Sequence, residues 1–210
     1  MPTISVTKFT DEKLLLLANS FTTGRESHMT LETAYKNGHS TIRTQLFFVQ
    51  LADIPLFVAS QLVRSHVGVQ FFQLSKRTDR GGADFREECR ELAELIANGL
   101  TNEALQLLEV FPCKYDRYAP TDLAFIINAE ALINMAHKRL CAKASHETMQ
   151  IVQGICDEAA HCDPALAPHL VPQCIFRGGI CPEPRSCRFN ETPMGKQMLA
   201  DYRSLFENHG

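Results

Sequence analysis

An apolar stretch, Ile54-Pro55-Leu56-Phe57-Val58-Ala59-Ser60-Gln61-Leu62, runs directly into Val63-Arg64-Ser65-His66. A second basic group, Ser75-Lys76-Arg77-Thr78-Asp79-Arg80, follows after eight residues. Leu56, Phe57, Ala59 and Val63 recur at helical spacing, which predicts a helix with one buried face. Pro55 suits its first turn, and Gln61 and Arg64, three apart, share a face near its end. Arg64, His66, Lys76, Arg77 and Arg80 offer donors for phosphate or another anion. The same pattern also describes a surface helix with a solvated basic end.

Such a site has to be local. The 210 residues carry a formal net charge of −3, so bulk electrostatics gives no reason to expect nucleic acid as a partner. A hydrophobic content of 45% with 21% charged residues is globular composition. The length suits one domain. No apolar run is long enough to span a bilayer. The N-terminus lacks a charged-then-apolar leader pattern, which places the expected location in the cytoplasm.

Turn and cap signals divide the chain. Ile4, Val6 and Phe9 alternate with polar neighbours, predicting a strand over 1–10. Asp11 is placed to cap a helix over Lys13–Asn19, with Phe21–Ser27 as a loop. Thr30 opens a helix over Leu31–Lys36 that Asn37-Gly38 ends. Ile42–Leu51 is rich in β-formers and reads as a buried strand. Further helices are expected over Phe85–Ala97, from Thr101 to before Pro112, over Leu123–Cys141 as the longest pattern, over Ala144–Ala160, and over Gly195–Phe206. The expected class is α+β, a helix-rich single domain with a mixed or antiparallel sheet. Residues 1–160 would form the ligand-binding body, and 161–210 a Cys- and Pro-rich extension packed on it.

Three motifs then fall in one order. Gly38-His39-Ser40-Thr41, the Ile54–Arg64 stretch, and Asn128-Ala129-Glu130-Ala131-Leu132-Ile133-Asn134 followed by His137-Lys138-Arg139 together resemble the flavin-dependent thymidylate synthases. The resemblance covers roughly Thr30 to Gln150. It implies that family's fold and its reaction, methylation of dUMP at C5 with methylenetetrahydrofolate as one-carbon donor, FAD as hydride carrier and NADPH as reductant. It also implies a homotetramer. Alternatives are a related one-carbon transfer, such as hydroxymethylation of another pyrimidine nucleotide, or a nucleotide-binding relative without catalysis.

By resemblance, His39, Thr41, Arg64, His66, Asn128 and Asn134 are flavin-binding positions. Gln61, Gln73, Ser75, Arg77 and Arg139 are nucleotide positions, with Arg139 at the uracil as the catalytic residue. A guanidinium beside uracil would favour its ionised form and enrich C5 in electron density. No enzyme nucleophile is needed, so the lack of an obvious Cys–His or Ser–His pair does not count against the chemistry.

The sequence departs from the family pattern where the ligands would sit. Arg-His-Arg becomes Arg64-Ser65-His66, and one extra residue precedes Ser75. Gln73 replaces a Glu, Leu108 stands where a phosphate-binding Arg is expected, and Glu130 replaces another Arg. Lys114 and Arg117, in a short insertion, are possible substitutes.

Five of the eight cysteines fall between Cys156 and Cys187. Cys89, Cys113 and Cys141 read as core or near-surface thiols. In the tail, Cys174, Cys181 and Cys187 with Cys162 or His169 could hold a structural zinc. The spacings contain no Cys-x2-Cys knuckle, so reduced thiols, or a disulfide, also fit them.

Overall fold

Strand β1, Thr3–Lys8, turns Ile4, Val6 and Lys8 toward the helices and leaves Thr3, Ser5 and Thr7 outside. It pairs antiparallel with β2, Leu46–Pro55, which pairs antiparallel with β4, Pro120–Asn128. β3, Val69–Gln73, closes the far edge against β4, giving the order β1-β2-β4-β3. The computed structural model describes residues 2–74, 86–115 and 117–207.

Alternation explains the sheet's buried face. Phe47, Val49, Leu51 and Ile54 on β2 meet Leu123, Phe125 and Ile127 on β4, all at 2% exposure or less. Each such side chain contributes about 2 kcal/mol by leaving water. The β2–β4 register shifts between Leu51 and Ile54. There Asp53 takes a left-handed φ of 57°, and its N–H donates to Asp122 Oδ1 at 3.0 Å.

Helices cover that face. Among the described residues they are α1 (Glu12–Thr23), α2 (Leu31–Lys36), α3 (Leu56–Leu62), α4 (Arg86–Ala97), α5 (Thr101–Tyr115), α6 (Ala129–Arg139), α7 (His146–Cys162), α8 (Gln173–Phe176) and α9 (Pro193–Glu207). α7 lies against β1, where Gly154 lets Ile4 approach so closely that a Cβ would come within 2.5 Å of its Cδ1. At the end of α7 the Asp163 carboxylate accepts from Lys8 Nζ at 2.6 Å and from the Tyr35 hydroxyl at 2.7 Å. This polar knot joins β1, α2 and α7 beneath the core. A smaller satellite core, Val171, Cys174, Ile175 and Tyr202, joins α8 to α9.

The α+β class, rich in helix, stands, and the sheet is antiparallel throughout. The expected helix Leu123–Cys141 is instead strand β4 followed by α6. Asn128 makes the break: its Oδ1 accepts from Ala131 N–H at 2.9 Å and starts the helix there. The focal helix ends at Leu62, before the basic residues, with Pro55 as its N-cap. α1 extends into the expected loop as far as Thr23, β3 had no sequence counterpart, and α5 continues past Pro112. Among the described residues no helix is long and apolar enough to cross a membrane.

Candidate functional site

The end of α3 and the outer face of α6 enclose a cavity of about 500 Å³, lined by Arg64, Ser65, His66, Glu130, Asn134 and Arg139 among others. Strand β4 delivers α6 to this place, and the Asn128 cap sets its first turn. Arg139 sits in the last turn of α6, where its charge suits the helix dipole. Its Nη2 donates to the backbone carbonyl of Gln61 at 2.7 Å, satisfying an orphan carbonyl in the last turn of α3.

The cavity is short of negative charge. Burial, followed by the charge of Arg64, pushes the Arg139 guanidinium below its ordinary pKa. Arg139 Nε is buried with no partner, and no carboxylate among the described residues pairs with Arg64 or Arg139. The carboxylate that does line the cavity, Glu130, is engaged elsewhere. Arg43 clamps it from outside, with Nε at 2.7 Å from Oε2 and Nη2 at 3.1 Å from Oε1. The Glu130 carboxylate is therefore neutralised by an arginine from the turn after Gly38.

His66 lies at the rim, its Nδ1 3.1 Å from the Arg64 carbonyl. Asn134 is exposed on the wall shared with a second cavity of about 600 Å³. That cavity is walled by Tyr35, His137, Phe176, Tyr202 and Phe206. His137 stacks on Phe176 with ring centroids 4.2 Å apart, and burial lowers its pKa to about 4. The ring is neutral at pH 7.

The other sequence-predicted residues are placed differently. His39 caps a 3₁₀ turn over Ser40–Thr44, and its Nδ1 lies 2.9 Å from the buried Thr41 hydroxyl. Neither His39 nor Thr41 lines the arginine cavity. Asn128 is occupied as a cap. Gln61 offers Arg139 its backbone, while its side-chain Oε1 accepts from the Thr148 hydroxyl at 3.2 Å. Gln73, at the end of β3, lines a separate shallow depression with Ser5, Gln50 and Asp122. Ser75 and Arg77 lie outside the described residues. Arg117, a candidate phosphate ligand, spreads over the Phe57 ring at 4.6 Å. The fourth zinc position also needs correction: the Cys162 thiol donates to the Val6 carbonyl at 3.2 Å and stands apart from Cys174, Cys181 and Cys187. His169 is buried between Tyr35 and Tyr202.

Sequence reasoning missed the Arg43–Glu130 clamp, the Tyr35–Asp163–Lys8 knot and the aromatic cavity. The spacing of Arg43 from Glu130 carries no local signal. The aromatic wall could have been suspected from Phe176, Tyr202 and Phe206 in the tail.

The sheet and its helical cover share their fold with a solved flavin-dependent thymidylate synthase. A crystal structure of thymidylate synthase X (ThyX) from Helicobacter pylori with FAD and dUMP superposes with a TM-score of 0.54 at 17% identity. The match covers 78% of this chain and 99% of that one. At that identity the likeness is one of fold. No protein-family model matches the chain, and no curated protein matches it in sequence.

Proposed function

We propose that this protein is a flavin-dependent enzyme that transfers a one-carbon unit to C5 of a pyrimidine nucleotide, with dUMP as substrate and methylation as the outcome. The observation that carries it is the unneutralised pair Arg64 and Arg139 on one cavity, with Arg139 Nε buried and unsatisfied. Two guanidiniums without a carboxylate favour an anion between them. The fold likeness to a protein crystallised with FAD and dUMP supports the choice of ligands.

FAD would supply the hydride that completes the transfer, reduced in turn by NADPH, with methylenetetrahydrofolate giving the carbon. Arg64, His66 and Asn134 would hold the flavin side of the cavity, with Ser75 and Arg77 reserved for the nucleotide phosphate. Arg139, kept rigid by its bond to Gln61, would face the base and stabilise negative charge on the uracil ring. Exposed Leu14, Leu17 and Phe21 on the outer side of α1 support assembly into an oligomer, a homotetramer by resemblance.

Absorbance of the purified protein, before and after adding FAD, tests the proposal. Flavin bands that dUMP perturbs are expected. Flavin binding that ignores dUMP but answers to another pyrimidine nucleotide would change the substrate and keep the class. A chain that neither carries nor takes up FAD would remove the enzyme altogether.

A further inference from the structure

The aromatic cavity of about 600 Å³ lies where the C-terminal segment meets the rest of the chain. Tyr35 and His137 reach it from α2 and α6, while Phe176, Tyr202 and Phe206 reach it from α8 and α9. The zinc expected in this segment has no ligand set: among the described residues, no group of three or more His, Cys, Asp or Glu is placed to hold a metal ion. The cavity is a different kind of site. We propose that it binds a small planar aromatic acid, separately from the arginine cavity between α3 and α6. Nothing in this proposal requires flavin chemistry.

The walls select a flat ring. Phe176 stacks one face on His137, with centroids 4.2 Å apart and planes 24° from parallel, yet is still 49% exposed. Phe206 packs on Tyr202 at 5.4 Å and is still 45% exposed. Two phenylalanines half open at one cavity hold apolar surface in water that an inserted ring would cover. A planar ligand can continue the His137–Phe176 stack or meet Phe206 edge to face, and an aliphatic one gains neither arrangement. His137 adds an unmet polar group. The residue is 6% exposed, and its Nε2 is buried without a hydrogen-bond partner. A cavity of this volume, mostly aromatic with a few polar groups, has the usual form of a small-molecule site.

The charge selects an acid. Lys36 and Arg203 line the cavity, and neither takes part in an ion pair among the described residues. Both lie beside Phe206. Lys36 Nζ is 5.6 Å from its ring centroid, and Arg203 stands one turn before it on α9. Arg203 Nη2 donates to the Gly178 carbonyl at 2.8 Å, which leaves its other N–H groups for a ligand. The carboxylate that lines the cavity, Glu130, is already held by Arg43. A ring between the aromatic walls, with its carboxylate at the rim by Lys36 and Arg203, therefore satisfies both features.

Calorimetry on the full chain without FAD, with 2-naphthoate as the probe, tests this. One site per chain is expected. Naphthalenemethanol lacks the charge and cyclohexanecarboxylate lacks the flat ring, so each should bind about tenfold more weakly. Replacing both cations, Lys36→Gln with Arg203→Gln, should weaken 2-naphthoate to a similar degree and leave the alcohol almost unaffected. Phe206→Ala should weaken both probes. These side chains are at least partly exposed, so the variants should keep the wild-type fold, which circular dichroism checks. Leu17→Ser, on the open side of α1, should change nothing. Saturating FAD should also leave 2-naphthoate affinity unchanged. A chain that takes up no FAD can still bind the probe, so this proposal and the flavin reading fail separately. No binding at millimolar probe would overturn the proposal. So would wild-type affinity in the Lys36 and Arg203 double variant or in Phe206→Ala, or displacement of the probe by FAD.

Discussion

Arg139 Nη2 and the backbone carbonyl of Gln61 lie 2.7 Å apart, so the last turn of α6 caps the last turn of α3. One side chain thereby does two things: it ties two helices together and presents its remaining donors to the cavity. Arg139→Lys keeps a positive charge but loses the planar fork. Loss of the cap should cost about 1 kcal/mol in urea unfolding. Affinity for dUMP, followed by its perturbation of the flavin absorbance, should fall by about tenfold. An unchanged dUMP affinity would take Arg139 out of the site.

Arg43 and Glu130 make a two-pronged ion pair on the other wall, at side-chain exposures of 59% and 34%. An exposed pair of this kind stabilises by about 1 kcal/mol at most, so Glu130→Gln should hardly shift the unfolding midpoint. Binding should respond more. Removing the carboxylate frees Arg43 beside a cavity that already favours anions, and affinity for FAD should rise a few-fold at low salt. The gain should shrink as ionic strength screens it. Tighter binding that salt does not weaken would point to packing instead of charge.

The sequence showed its helix starts more clearly than its strands. Asp11, Thr30 and Thr101 marked helix starts at or next to those observed, because a cap is a local interaction between a side chain and the nearest backbone N–H. β4 was hidden because Phe125-Ile126-Ile127 is a continuous apolar run that joins Ala129, Leu132, Ile133 and Ala136 at helical spacing. Only pairing to β2 and β3 tells that Leu123, Phe125 and Ile127 share one face, and those partners are distant in sequence. In the site, Arg64, His66, Asn134 and Arg139 were legible by resemblance, and they line one cavity because the turn after α3 brings the first two and α6 the other two. The Glu130 neutralisation was not, since its partner comes from another element.

Tyr35 donates to an Asp163 carboxylate that is 2% exposed at the side chain and also holds Lys8. Burial, then the bond and charge of Asp163, raises the phenol's pKa far above its ordinary 10.0. A raised folded value means that the stabilisation is complete below pH 10 and is lost as pH rises beyond it. In an ultraviolet titration of the four tyrosines, one should therefore stay neutral until the chain unfolds. Tyr35→Phe should remove that late step. Asp163→Asn, which leaves Lys8 without its partner, should cost about 3 kcal/mol at pH 7. Four phenols ionising together in folded protein would contradict the bond.

Gly68 sits where β3 meets α6, with φ at 75°, and its carbonyl accepts from the Asn128 N–H at 3.1 Å. A Cβ there would lie 2.5 Å from Asn128 Nδ2, pushing on the side chain that caps α6. Gly38 has a similar φ of 57° but nothing within 4 Å of its would-be Cβ, which makes it the natural control. Gly38→Ala should lose about 1 kcal/mol, the strain of a left-handed alanine. Gly68→Ala should lose about 2 kcal/mol or more, since the Asn128 cap must also shift. Because α6 carries Glu130, Asn134 and Arg139, the second variant should weaken flavin binding and the first should not. Equal losses in urea unfolding would mean that Asn128 gives way freely and that the cap does not set the position of Arg139.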